Sequence, residues 1–225
     1  MEKRVYFHRR KDDIDDATFA ATYCAAHDTL VRDTGARCAV NLALVNQSAL
    51  DRAGMRSRDP LPWHAVSHRW GDVASSSEAT QQMAAVVGAA SGWRVDEIIA
   101  WDYDRDWPDG ADTPGVKFVS LVTKRPDITM DQFETRYRNH ANVAREHHGG
   151  CWKYVQNIVR GPVTLPPGRI IHGISELWFR TENDLVGRLY TRRPESIDAV
   201  REDTTGFIDF ANTMSLLVRE RWIKS

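Results

Sequence analysis

Two heptapeptides of this chain place histidine, glutamate and tryptophan at spacings that suit proton transfer. HAVSHRW spans residues 64–70 and HGISELW spans residues 172–178, so both ends are offset by the same 108 positions (172−64 and 178−70). Alternation along a β-strand places every second side chain on one face. A buried imidazole beside a carboxylate can titrate near neutrality, and such a pair is suited to general acid–base catalysis.

These two faces supply the first group of candidate site residues. They are His172, Glu176 and Trp178 in the second segment and His64, His68 and Trp70 in the first. If helices cover the small and apolar face of each strand, this group points into the interior of a barrel. In the catalytic interpretation, His172 and Glu176 move protons while Trp178 and Trp70 flank a flat ligand. In the structural interpretation, the polar residues satisfy one another across the seam between two sheets.

A second group of candidates lies on predicted helices. Tyr137 and His140 are three residues apart and share a helix face with Phe133. Tyr23 and His27 form a similar pair in the first part of the chain. Each pair could line a ligand cavity, or could belong to an ordinary amphipathic helix whose polar atoms bond the backbone.

Asn157 is the candidate amide. It follows Gln156 on a predicted strand, so only one of the two can face a given side. We favour Asn157 because Asn41 holds a similar place in the first part of the chain. A side-chain amide can orient a carbonyl or phenol and stabilise developing oxyanion charge.

The elements that must position these residues occur twice in the same order. In the first part, strands are predicted at 5–10, 36–46, 63–70 and 93–104, with helices at 12–35 and 75–92. In the second part, strands are predicted at 116–125, 151–161, 169–180 and 213–224, with a helix at 126–150 and a helical region at 181–210 broken around Pro194. Both orders are βαββαβ, which makes the repeated heptapeptide the third strand of a duplicated unit.

A single βαββαβ unit forms a four-stranded antiparallel sheet with helices on one face, and the other face must be covered. We therefore predict an α+β fold of two tandem ferredoxin-like units, 1–106 and 116–225, joined by a linker at 107–115. Packed sheet on sheet, they would form a pseudo-dimeric α/β barrel within one chain. This arrangement does not require a further homodimer but is compatible with one.

Composition restricts the class of partner and the cellular compartment that we expect. The chain of 225 residues has 30 basic and 31 acidic side chains, which argues against a nucleic acid or an anionic membrane as partner. We expect a cytoplasmic protein, because there is no apolar leader or spanning segment and the three cysteines have no zinc spacing. Phosphate-binding glycine loops and the G-x-S-x-G elbow are also missing, so we expect a small-molecule substrate and no cofactor or metal.

The second unit resembles the EthD-type members of the dimeric α/β-barrel superfamily. The resemblance rests on a set of motifs: KRP (124–126), ITMDQF (128–133), FETRYRNH (133–140), YVQN (154–157), GISELWF (173–179) and DTTGFID (203–209). It spans about 110 residues, 116–225. The first unit looks like a diverged relative that lacks a counterpart of DTTGFID. The seven-residue step from Phe133 to His140 departs from the commoner eight, which is the step from Phe19 to His27.

The resemblance implies a small enzyme acting on aromatic or polyketide-like compounds, with the aromatic-plus-histidine pair of the helix facing the ligand. Our first prediction is a cofactor-independent lyase or isomerase, of dehydratase, decarboxylase or cyclase type, in which His140 and His172 act as general acid and base. Asn157, Tyr137 and Glu176 complete the predicted catalytic set, and His27, His64 and His68 the substrate contacts. The alternatives are a cofactor-free monooxygenase on a similar substrate and a non-catalytic small-molecule-binding protein.

Overall fold

The computed structural model describes residues 2–55, 63–71, 75–164 and 170–225. The prolines of the predicted first-half loop (Pro60 and Pro62), part of the turn at 162–168 and the start of the strand predicted from 169 lie outside the described residues. The strands of the described part are β1 (Lys3–Arg10), β2 (Arg37–Ala43), β3 (Ala65–Trp70), β4 (Val87–Trp101), β5 (Val116–Val122), β6 (Cys151–Pro162), β7 (Gly173–Phe179) and β8 (Met214–Lys224). Its helices are α1 (Asp16–Thr34), α2 (Ser48–Ala53), α3 (Ser77–Val86), α4 (Met130–His147), α5 (Glu182–Arg188) and α6 (Glu195–Thr205).

The ends of the two long helices follow from their sequences. Asp15 caps α1 by accepting a hydrogen bond from the Thr18 amide, and Gly35 ends the helix in the left-handed conformation (φ 68°). Thr129 caps α4 and forms a capping box with Gln132. The residues of α4 at helical spacing are buried, which confirms the predicted amphipathic helix.

The helix predicted over 75–92 is too long. The structure ends α3 at Val86, and β4 begins at the next residue, with Arg10 of β1 opposite Val87 and Tyr6 opposite Gly92. Gly92 is therefore not a helix stop. It lies in a strand at a point where an added Cβ would be 2.6 Å from the ring of Tyr6, so the ring packs flat on the backbone.

The strands form one closed barrel in the order β1-β3-β2-β8-β5-β7-β6-β4, and all neighbours are antiparallel. Within each half of the chain the order is the same: β4-β1-β3-β2 in the first and β8-β5-β7-β6 in the second. The halves join at β2–β8 and at β4–β6. The predicted α+β fold with a closed barrel is confirmed at this level.

The two faces of each third strand contact different layers: one faces the barrel interior and the other faces the helices. Ile174 of β7 and Val66 of β3 belong to the apolar cluster inside the barrel, and Glu176 and His68 follow them at a spacing of two. Leu177 belongs instead to a cluster shared with the helices. The His, Glu and Trp faces of the third strands therefore point inward, as predicted.

Within the described part of the chain, none of the helices has the length and apolar character needed to cross a membrane.

Candidate functional site

The barrel interior contains a buried ionic network centred on Glu176. Lys3 enters from β1, and its Nζ lies 2.9 Å from Oε1 of Glu176. Lys117 enters from β5 and pairs with Oε2 of the same carboxylate. All three side chains are almost completely buried, so this carboxylate compensates two interior cations.

The two halves repeat this polar arrangement. Lys3 also pairs with Glu97 at 2.8 Å, and Lys117 pairs with Glu220 at 3.0 Å. The indole nitrogens of Trp70 and Trp178 donate hydrogen bonds to these two glutamates, at 2.8 Å and 3.0 Å respectively. The repeated set explains why both heptapeptides end in tryptophan.

The asparagines are matched as well. Asn157 donates through Nδ2 to the Ile174 carbonyl (2.9 Å) and to Glu176 (2.8 Å). Asn41 bonds the Val66 carbonyl (3.0 Å) and Nδ1 of His68 (3.1 Å) in the same way. Asn157 therefore orients the carboxylate of Glu176.

The protonation states fit this arrangement. Burial lowers the pKa of His68 well below its usual value, so its imidazole is neutral. Since Asn41 donates to Nδ1, the proton of the neutral ring is on Nε2, which lies 3.3 Å from Glu176. Burial acts to raise the pKa of Glu176, but the facing ammonium groups of Lys117 and Lys3 hold it well below its usual value, so Glu176 is anionic.

His64 and His172 occupy matched positions at one end of the barrel. Nδ1 of His64 accepts a hydrogen bond from the Arg10 amide (3.3 Å), and Nδ1 of His172 accepts one from the Lys124 amide (3.2 Å). Partial burial, with Lys124 nearby, lowers the pKa of His172. Each imidazole thus binds the main chain where the first strand of its half ends.

A cavity of about 410 Å³ lies outside the barrel, between the sheet of the second half and its helices. Its walls are mostly apolar, with Phe118, Leu177 and Val200 among them. Its floor includes Ser120, which pairs in register with Ser175 of β7 and Ser215 of β8. These serines place small polar side chains beneath an apolar space. A largely apolar pocket with a few polar groups is typical of a small-molecule site.

His140, which lines this cavity, is paired with Asp203. Nδ1 of His140 on α4 lies 2.6 Å from Oδ2 of Asp203 on α6, and His140 lines the cavity. Because the carboxylate accepts the Nδ1 proton, the neutral ring has its lone pair on Nε2. Among the described residues, none bonds Nε2, so this nitrogen is available to a ligand.

Further hydrogen-bonding groups surround the pair. The hydroxyl of Tyr137 bonds Oγ of Ser175 at 2.7 Å, and the hydroxyl of Tyr154 accepts a bond from Gln156 at 3.1 Å. Burial raises the pKa of both phenols, so they remain neutral. His148 donates from Nδ1 to the Leu189 carbonyl (2.8 Å), and burial lowers its pKa to about 4.

In the corresponding place of the first half, aromatic rings pack against one another. Phe19 stacks on Tyr23, and the ring of His27 lies 4.5 Å from that of Tyr23. Nδ1 of His27 bonds the main-chain carbonyl of Tyr23 (2.8 Å), and burial lowers the pKa of His27 to about 3. His27 has no carboxylate partner among the described residues, and its neutral ring is suited to packing.

The predicted site residues are thus divided among four places. His140 and Tyr137 line the cavity, whereas Asn157, Glu176, His68, Trp70 and Trp178 form the interior network. His64 and His172 bind main-chain amides, and His27 packs in the first half. The inward-facing side chains of the strands form the apolar and ionic interior of the barrel, and the cavity lies against the opposite face of the sheet.

Two residues, one that lines the cavity and one that pairs with His140, were not among the predicted site residues. Asp203 occurred only within the motif DTTGFID, and Ser175 lies on the face of β7 opposite Glu176. A usable signal was present in Gly173 and Ser175, because small side chains on a helix-facing strand leave space beneath the helices. Within the described residues, no cluster of three or more His, Cys, Asp or Glu side chains could hold a metal ion.

Comparison with known proteins bears on the fold. No protein-family model matches the chain, and no curated protein matches it. An anthrone oxidase-like protein superposes with a TM-score of 0.54 at 10% identity, covering 100% of this chain and 93% of that one. A candidate monooxygenase from Lactobacillus acidophilus gives 0.55 at 6% identity (99% and 96% covered), and one from Fusobacterium nucleatum gives 0.56 at 12% (99% and 92%). The chain therefore shares its fold, a closed antiparallel barrel with helices outside it, with these three proteins.

Proposed function

We propose that the second-half cavity is the active site of a cofactor-independent monooxygenase acting on a flat, largely apolar aromatic molecule. The observation that carries the proposal is the His140–Asp203 pair, 2.6 Å apart, with His140 at the wall of a largely apolar cavity. His140 is the general base, and Asp203 orients its ring and stabilises the imidazolium that forms. Tyr137 and Ser175 lie where they can hydrogen-bond the substrate oxygen on which negative charge develops.

The chemistry starts with a carbon acid, such as a methylene group activated by an aryl ketone. Nε2 of His140 removes a proton, and the resulting carbanion supplies electrons to O2 and forms a carbon–oxygen bond. After protonation to a hydroperoxide, loss of the second carbon-bound proton and cleavage of the O–O bond give a ketone and water. The methylene carbon loses four electrons and O2 accepts four, so the reaction needs no external reductant.

The lyase or isomerase prediction shares the first step and differs in the fate of the carbanion. The structural neighbours support the oxygenase alternative, because two of the three described above are named as candidate monooxygenases and the third as anthrone oxidase-like. The binding-protein alternative requires no base, and the paired, ligand-accessible His140 favours an enzyme over it.

Oxygen uptake by the purified chain with anthrone as probe tests the proposal. We expect uptake above the spontaneous rate, one O2 consumed per anthrone converted to the quinone, and no turnover under nitrogen. Conversion of anthrone that continues without oxygen would favour a lyase or isomerase. Binding of anthrone that is recovered unchanged in air would favour a binding protein.

We also infer that the chain is a tandem duplication of a ferredoxin-like unit, 1–106 and 116–225 with a linker at 107–115, whose second unit is EthD-like. Two features support this: the repeated strand order of the halves and the matched lysine, glutamate, tryptophan and asparagine contacts inside the barrel. The buried, neutral ring of His27, packed on Tyr23, supports the second unit as the one that carries catalysis.

A further inference from the structure

A short helix of the first half lies on the second half. Helix α2 follows β2, and its buried residues Ala49 and Leu50 share an apolar cluster with Leu177, Leu185 and Leu217 of the second half. The sequence pattern did not predict this helix. Its apolar face is therefore buried against the unit that contains the cavity, although it belongs to the other unit.

Gln47 fixes the start of α2 to strand β8. Its Nε2 donates to the Leu217 carbonyl at 2.9 Å, and its Oε1 accepts from the Leu217 amide at 2.8 Å. The Leu44 amide also donates to the Leu217 carbonyl, at 3.0 Å. One side-chain amide thus pairs with both main-chain groups of one residue, as a neighbouring strand would.

The end of α2 brings a methionine to the cavity. Gly54 ends the helix in the left-handed conformation (φ 72°), and the Met55 amide then donates to the Leu50 carbonyl at 2.8 Å. Gly54 and Met55 both line the second-half cavity. Methionine is unbranched and polarisable, so it can adapt its shape to an apolar ligand.

We propose that the first half supplies a wall of the second-half site through α2, and that Met55 is a specificity-determining residue that limits the size of the ligand. This inference deepens the proposed function, since it rests on the same cavity taking a flat apolar molecule. It does not depend on the reaction type. It also gives the first half a functional role, although the space around His27 is packed.

The test measures equilibrium binding of phenol, 1-naphthol and 1-anthrol to the full chain, which form a series of one, two and three rings. We expect Met55→Trp to weaken 1-anthrol binding by about tenfold or more while changing phenol binding by less than about threefold. Met55→Ala should shift the preference the other way, toward the larger ring system. Met83→Ala is the matched control, because Met83 packs in the first-half helix layer, and it should leave all three affinities unchanged.

A second variant tests the anchoring of the wall. Gln47→Leu removes both bonds to Leu217 while keeping an apolar side chain of similar size, and we expect it to reduce the discrimination between phenol and 1-anthrol. Equal changes for all three ligands with Met55→Trp would overturn the inference, as would failure of the parent chain to bind any of them. If the parent chain shows no oxygen-dependent turnover but its affinities still depend on ligand size and on Met55, the proposed function is contradicted and this inference is kept.

Discussion

His68 and Glu176 occupy equivalent positions of the third strands β3 and β7 and face each other inside the barrel, with Nε2 of the histidine 3.3 Å from Oε2 of the glutamate. Around them, lysine, glutamate, tryptophan and asparagine repeat between the halves. The matched sets of the two halves differ at this position, where the first half has His68 and the second half has Glu176. Two interior lysines consequently share the carboxylate of Glu176, which comes from the second half alone.

Glu176→Gln should destabilise the fold. The amide keeps the shape of the side chain but removes the charge shared by Lys3 and Lys117, and breaking a buried ion pair costs about 3–5 kcal/mol. Urea denaturation measures the free energy of unfolding. Glu146→Gln is the control, because Glu146 pairs with Arg192 on the surface and such pairs contribute at most about 1 kcal/mol. Equal losses in the two variants would contradict the central role of Glu176.

Gly173→Ala should disturb the cavity through Tyr137. An added Cβ at Gly173 would lie 2.9 Å from the Tyr137 ring and 3.3 Å from that of Phe133, so both rings must shift at a cost of about 1–3 kcal/mol. We expect lower stability together with weaker 1-naphthol binding. Gly187→Ala on α5 meets nothing within 4 Å and should stabilise by up to about 1 kcal/mol. Unaltered ligand binding in Gly173→Ala would show that the position of Tyr137 is not critical.

The buried neutral ring of His148 should make stability fall as the pH is lowered. Burial lowers its pKa to about 4 from the ordinary 6.5, so between these values the unfolded chain binds a proton that the folded chain does not. Above pH 6.5 both forms are neutral and the contribution vanishes. His148→Asn should therefore flatten the decline between pH 7 and pH 4 by up to about 3 kcal/mol. The measurement is urea denaturation across this range, and parallel curves for variant and parent would refute the assignment.

Asp203→Asn should lower turnover without removing the base. The amide cannot stabilise an imidazolium, and it can favour the wrong tautomer of His140, so kcat should fall by about 10²–10⁴-fold while KM changes little. Steady-state oxygen uptake with anthrone measures both. Glu202→Gln is the control on the same helix, because the side chain of Glu202 is exposed to solvent. A loss confined to KM would assign Asp203 to binding instead.

Much of the fold was predictable because the sequence signals were local and periodic. The alternation of side chains around Glu176 correctly predicted the inward face of β7. The spacing of Phe133 and Tyr137 correctly predicted the buried face of α4. The boundary between α3 and β4 was predicted wrongly, since the sheet pairing of residues 87–92 with β1 outweighs their helical propensity. Helix α2 was missed because its six residues are too few to show a clear helical pattern and pack largely against the other half.

The site was harder to predict than the fold. Identifying His140 and Tyr137 required only a helix pattern and a resemblance, but pairing His140 with Asp203 depends on how α4 packs on α6 across 63 positions. Glu176 and His172 have the residue types of a catalytic pair, yet tertiary contacts place them in an ion network and at a strand end. Residue type alone did not predict which carboxylate lies in the ion network and which lies beside His140.

The most direct test of the central claim is proton removal by His140, measured apart from any later step. Anaerobic exchange of the methylene protons of anthrone with D2O, followed by NMR, reports this step for an oxygenase and for a lyase alike. We predict that His140→Gln lowers the protein-catalysed exchange rate by about 10²–10⁴-fold, while His27→Asn in the first half leaves it unchanged. Exchange that persists at the parent rate in His140→Gln would contradict the assignment of the second-half cavity as the active site.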